Sequence, residues 1–201
     1  MKLRSNFVFP FRSQRAGFSL VELLLSLAVL LVLTTLAVPI VVRSLQAYQL
    51  NSSASQLAGM LKFTKFEAIR ENTPVSMQIV QQGTNWLVWV DSNGNGIPDG
   101  AEPHMIVGGS FTLMASGCGP SPSAIQTSLG GGSSFPWNVV SGSNGSIGYD
   151  QRGVISTLTV YVLYIGSSSV SPSPDCRAVI TLPSGAVQVW TSTSTSWYRV
   201  S

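Results

Sequence analysis

The chain has 201 residues, with 11 Lys and Arg against 8 Asp and Glu, and 44% of it is hydrophobic while only 9% is charged. Four of the bases, Lys2, Arg4, Arg12 and Arg15, fall in the first 17 residues, so the part from Phe18 onward carries seven bases and eight acids, a formal charge of −1 before its amine is counted. The basic balance therefore belongs to the N-terminal segment and excludes nucleic-acid binding driven by bulk charge.

Phe18 to Val38 contains one charge, Glu22, and otherwise nothing more polar than a hydroxyl. At about 1.5 Å per residue a helix of this length matches a ~30 Å hydrocarbon layer, and helix is the state that satisfies its backbone there. The bases ahead of it, unaccompanied by acids, hold that end on the cytoplasmic side. A secretory signal is cut after its apolar core. Here the small pair Ala16-Gly17 lies before the core, so cleavage after Gly17 would keep the apolar helix and start the mature chain at Phe18. Glu22 then sits one turn inside lipid, where an unpaired carboxylate costs about 2.5–3.5 kcal/mol and is read as functional. The alternative is a plain single-span anchor that tolerates an acid near its end.

Beyond Pro39, which should bend the helix locally, the helical pattern continues. Leu50, Ala54, Leu57, Leu61, Thr64 and Ala68 recur at spacings of four and three, giving one apolar stripe, with Lys62, Lys65, Glu67, Arg70 and Glu71 off it. Asn72-Thr73-Pro74 should end the helix. The expected organisation is 1–17 as a leader, 18–39 as the membrane span, and 40–201 as one domain outside the cytoplasm, helical to about residue 72 and β-rich thereafter. About 160 residues after the span suffice for one core.

Strands are predicted from alternation and β-prone runs at Val75–Val80, Trp86–Val90, His104–Val107, Phe111–Ala115, Ser146–Tyr149, Val154–Ile165, Arg177–Leu182 and Ala186–Thr191, with turns at Gly83, Gly108-Gly109, Gly153 and Gly185. Gly117 to Gly145 reads as a long surface loop with one short strand near Phe135–Val140. Cys118 and Cys176 are the two cysteines, and both fall outside the cytoplasm in this topology. A disulfide between them is the expectation, with two buried thiols as the alternative.

Asp91 to Glu102 satisfies the pattern D-x-[DN]-x-[DN]-G-x₅-E. Asp91, Asn93, Asn95, Asp99 and Glu102 would supply side-chain oxygens and Ile97 its carbonyl, a possible Ca²⁺ loop. The same residues make a metal-free hairpin turn from Asn-Gly pairs and Asx turns. Nothing indicates catalysis. The single histidine, His104, adjoins Pro103, and there is no nucleophile–base pair or phosphate loop in context.

At Gly17-Phe18-Ser19-Leu20-Val21-Glu22 the chain resembles type IV pilins and pseudopilins. The resemblance implies that a prepilin peptidase cuts after Gly17 and methylates the amine of Phe18. It also implies that Glu22 compensates the N-terminal amine of a neighbouring subunit in a filament. Leu57-Ala58, Glu67-Ala68-Ile69-Arg70 and Pro74-Val75 are similar to the GspH/FimT branch. This implies a minor pilin or minor pseudopilin with an α+β pilin-like fold, a long N-terminal helix packed on antiparallel β-sheets. Its implied partners are other pilins, the peptidase and an inner-membrane assembly platform. The implied location is the bacterial inner membrane, single-pass with a periplasmic C-terminal domain, and then the filament. Type IV pilus and type II secretion both remain open. Some FimT-like members bind DNA through an Arg-rich C-terminal hairpin; Ser184-Gly185-Ala186-Val187-Gln188 stands there without arginine, so nucleic acid is not an expected partner.

Overall fold

The computed structural model describes residues 17–108, 111–113, 122–129, 136–140, 142–157, 159–167, 176–192 and 197–200. One helix, α1, runs Leu20–Glu71 and contains Pro39 without ending there. The chain forms two compact units, one to Ser44 and one from Leu45, and α1 contributes to both. In the first unit every large apolar side chain of the helix is exposed. It is also the one helix among the described residues that is long and apolar enough to cross a membrane.

In the second unit the stripe reads as expected, since Leu50, Ala54, Leu57, Leu61, Thr64 and Ala68 are all buried, together with Ala58. The helix stops through Asn72, whose φ of 52° is left-handed. The Asn72 amide donates to the Ile69 carbonyl and the Thr73 amide to the Ala68 carbonyl, both at 3.3 Å. That is a Schellman closure with asparagine in the usual glycine position, and Pro74 follows it.

Eight of the β elements fall near predicted runs: β1 Val75–Gln82, β2 Asn85–Asp91, β3 His104–Val107, β4 Phe111–Leu113, β5 Trp137–Val139, β6 Asn144–Tyr149, β8 Cys176–Thr181 and β9 Val187–Ser192. The expected strand Val154–Ile165 is instead split. Residues 151–157 form turns with a single bridge between Tyr149 and Ile155, and β7 spans Val160–Ser167. Asp150 causes the break, because one carboxylate oxygen accepts the amides of Arg152 and Val154, each at 2.9 Å. A short helix, α2 (Pro122–Ser128), lies within the stretch read as loop, and β10 (Trp197–Arg199) follows β9 near the C-terminus.

The strands form a four-stranded sheet, β3-β2-β1-β6, and a larger sheet ordered β10-β9-β8-β7-β4. Among the described residues the ladders are antiparallel, as expected, with short β5 added in parallel to β7. One core cluster joins the α1 stripe to Met77, Ile79, Val88, Val90 and Ile147 of the smaller sheet and to Leu163, Ile165, Val179 and Val189 of the larger. A second cluster covers the other face of the larger sheet, where Ile125 of α2 meets Val160, Val162, Tyr164, Ala178, Ile180, Trp190 and Trp197. Strand β8 is consequently buried at all six positions, alternate side chains entering different cores.

Candidate functional site

Two regions carry the candidate functional residues. At the N-terminus, Gly17, Phe18 and Ser19 precede the first helical turn, and the Ser19 carbonyl accepts the Leu23 amide at 3.1 Å. Phe18 is exposed, and nothing lies near a side chain added at Gly17. Along the apolar segment the hydroxyls close on their own helix: Ser26 donates to the Glu22 and Leu23 carbonyls, Thr34 to Leu31 and Thr35 to Val32. Such back-bonds remove the need for an outside partner. Glu22 differs. Its carboxylate has no hydrogen bond or ion pair among the described residues, although the first-turn position is favourable for an anion. In a low-dielectric surrounding the ionised carboxylate would be uncompensated within its own chain.

The second region links β2 to β3. Asp91 is 3% and Glu102 6% exposed. Asp91 Oδ1 accepts the Asn95 amide at 3.0 Å and Oδ2 the Gly96 amide at 3.1 Å. Glu102 Oε1 accepts the Ser92 amide at 3.0 Å and its hydroxyl at 3.3 Å, while Oε2 accepts the Asp99 amide at 3.1 Å. Asp99 Oδ2 takes the side-chain amides of Asn93 and Asn95, at 2.7 and 3.0 Å. Asn93 and Asn95 each form an Asx turn, accepting the amides of Asn95 and Ile97. Five carboxylate oxygens are thus already acceptors for the loop's own N–H groups. Among the described residues no three His, Cys, Asp or Glu side chains are grouped to hold a metal ion. The structure does bring Asp91, Asn93, Asn95, Asp99 and Glu102 into one turn. As folded, the carboxylate oxygens of Asp91 and Glu102 accept the loop's own backbone amides.

The remaining candidates are dispersed. Cys176 is fully buried in the second core, whereas Cys118 lies outside the described residues. His104 is exposed on edge strand β3, its Nδ1 3.1 Å from the Glu102 carbonyl. At the C-terminal hairpin, Gly185 has φ 74° and a Cβ there would lie 2.0 Å from the Gly153 carbonyl oxygen. The Lys65 ammonium donates to the Ser184 carbonyl at 3.3 Å. The turn is therefore held against its own domain. Reading the sequence missed Arg177, a buried guanidinium whose Nε donates to Asn51 of α1 at 2.6 Å and whose Nη1 donates to the Cys176 carbonyl at 2.9 Å. An arginine in an otherwise apolar strand was its only signal. On the exposed end of α1, Arg70 pairs with Glu67 and Glu71. Its hydrogen bond holds the Glu67 carboxyl below the usual range, against a smaller opposing effect of burial.

Residues 53–185 match the family described as the type II transport protein GspH, and residues 12–38 match the prokaryotic N-terminal methylation motif. Pilin-like protein PilA1 of Thermus thermophilus is 39% identical over 82 residues, 40% of this chain and 51% of that protein. The chain thus spans about half the length of this relative. The crystal structure of the type IV minor pilin FimU from Pseudomonas aeruginosa aligns with 76% of this chain and 95% of its own, at 15% identity and a TM-score of 0.47. Because the GspH match extends over more than half of the sequence and the methylation motif precedes it, the chain belongs to the GspH family of minor pilins and pseudopilins.

Proposed function

We propose that this protein is a minor subunit of a type IV pilus, priming assembly or standing near the tip, where it serves adhesion, twitching or uptake. The observation that carries this reading is the pairing of an apolar helix whose hydroxyls satisfy themselves with one unpartnered carboxylate, Glu22, four residues past Phe18. In this reading the peptidase removes residues 1–17 and methylates Phe18. The helix holds the protein in the inner membrane with its domain on the periplasmic side, and the assembly platform then moves it into a filament. There Glu22 meets the amine of a neighbouring subunit, each charge removing the other's desolvation penalty. A Cys118–Cys176 disulfide would tie the segment ahead of α2 in sequence to β8. Mass spectrometry of the membrane-bound protein tests the reading, with N-methylated Phe18 as the expected first residue. A working assembly that retains the leader would refute it.

A second reading is the H-type minor pseudopilin of a type II secretion system, favoured by the type II transport family matched at residues 53–185. Deleting the gene separates the two: loss of surface pili supports the first, loss of exoprotein export the second. Burial of Arg177 inside the domain leaves Arg152 and Arg199 as the bases after Arg70 available to phosphate, too few for a pilus DNA receptor.

A further inference from the structure

Two Asn-Gly pairs stand side by side in the β2–β3 loop, Asn93-Gly94 and Asn95-Gly96, and a third, Asn144-Gly145, begins β6. A glycine after asparagine has no Cβ to keep its backbone nitrogen away from the asparagine side-chain carbonyl carbon. The dipeptide that favours a turn therefore also favours an intramolecular reaction, in which proximity replaces a second molecule.

The structure separates the three pairs. Asn93 Oδ1 accepts the Asn95 amide at 2.9 Å, an Asx turn that wraps the side-chain carbonyl around the intervening Gly94 nitrogen. That N–H, shared with Asp91 Oδ1, stands where negative charge would gather on Asn93 Oδ1 as Cγ is attacked. Asn93 Nδ2 donates to Asp99 Oδ2 at 2.7 Å, which fixes the side chain in this pose. Among the described residues the Gly94 amide donates to nothing, and Asn93 and Gly94 are both exposed, so solvent base reaches the nucleophile. Asn95 has a matching Asx turn to Ile97 at 2.8 Å and the same Asp99 oxygen at 3.0 Å. Its nucleophile is occupied, because the Gly96 amide donates to the buried Asp91 carboxylate at 3.1 Å. That bond must break first, and the neighbouring negative charge disfavours the amide anion that attacks. Asn144-Gly145 is held in the antiparallel ladder opposite Val80 and Ile79. Closing a five-membered ring needs a backbone bend that an extended strand denies it.

We propose that Asn93-Gly94 is a spontaneous modification site, where Asn93 deamidates through a succinimide while Asp91 protects Asn95-Gly96. The Gly94 nitrogen gives its proton to solvent base and bonds to Asn93 Cγ. The Cγ–Nδ2 bond breaks, and the nitrogen leaves as ammonia with a proton from water. Water then opens the ring at either carbonyl, giving aspartate or, with the chain rerouted through the side chain, isoaspartate. Asp99 loses one of its two amide donors and faces a like charge instead.

The test holds the full-length protein folded in detergent in water enriched in oxygen-18, beside the same protein in guanidinium chloride, and follows each site by peptide mapping. In the folded protein Asn93 should take up label at least about tenfold faster than Asn95 or Asn144, the margin set by one hydrogen bond to a charged acceptor. Part of the product should be isoaspartate, detected by enzymatic methylation. In denaturant, where neither Asp91 nor the ladder is in place, the three rates should converge. Asn93→Gln, which would have to close a larger ring, should remove the fast uptake. An Asn93 that matches or trails either other site when folded, or stays unlabelled while the denatured chain reacts, would overturn the proposal. So would a lead that persists in denaturant, or fast uptake that survives Asn93→Gln.

Discussion

Asp91→Asn separates the two readings of the β2–β3 loop. In the folded protein both Asp91 oxygens accept backbone amides, from Asn95 and Gly96, at a residue that is almost fully buried. Asparagine keeps one acceptor but sets an NH₂ group against the second amide. The variant loses one hydrogen bond to a charged acceptor, and a buried N–H is left without a partner. Taken together these amount to about 2–4 kcal/mol. For a domain of this size that corresponds to a melting point lower by roughly 5–15 °C. Asp99→Asn is the control, since Asp99 is exposed and accepts only from two asparagine side chains, and its effect should stay within about 0.5 kcal/mol. The measurement is thermal unfolding of the full chain in detergent with a chelator present, followed by near-UV circular dichroism. An Asp91→Asn variant melting within about 1 °C of wild type would refute the account of the loop as held by its own amides. A wild-type melting point unchanged by millimolar Ca²⁺ would remove the calcium reading of the loop. A rise abolished equally by both substitutions would instead establish the calcium cage.

Glu22→Ala should be cleaved and inserted but absent from filaments, as read by immunoblotting of sheared fractions; normal piliation or export would count against the charge-pairing mechanism. Gly185→Ala should destabilise the domain by about 2–4 kcal/mol, because left-handed backbone strain adds to a collision with the Gly153 carbonyl. By contrast, Gly59→Ala, in an open helical position, should stabilise it by about 1 kcal/mol, so denaturant titrations of the pair should move in opposite directions. Stability should also fall at alkaline pH. Burial pushes the Tyr164 hydroxyl up to about 12 from the ordinary 10.0, and Tyr149 is raised further despite the Thr181 hydroxyl facing it. The unfolded chain releases these protons first, so stability is intact below pH 10 and declines as pH rises from there through 12. The Tyr164 hydroxyl has no hydrogen-bond partner among the described residues. Tyr164→Phe should accordingly keep neutral-pH stability and lose part of the alkaline decline, measured by melting at pH 8 and pH 11.

Much of this protein is dictated locally. The apolar run with its single acid, the preceding bases and Gly17-Phe18 mark the N-terminal methylation motif and a helix apolar enough to cross a membrane without any tertiary contact, because both are properties of a continuous local stretch. The stripe from Leu50 to Ala68 specified the packed side of α1, since a 3.6-residue period maps directly onto one buried face. Strands β1, β2, β3, β8 and β9 were legible as β-prone runs between turn residues. Other features required the folded chain. Helix α2 is seven residues long, too short to show a period, yet its Ile125 joins the second core together with Ala178 and Ile180 of β8, a strand buried at every position. Nothing local tells β5 to run parallel to β7, or Arg177 to reach Asn51 across 126 residues of chain. The acidic loop shows the limit most clearly. Its residue pattern suits both a cation and a set of amides, and the choice depends on which donors the closed hairpin brings within about 3 Å of each oxygen, a distance that only tertiary structure sets.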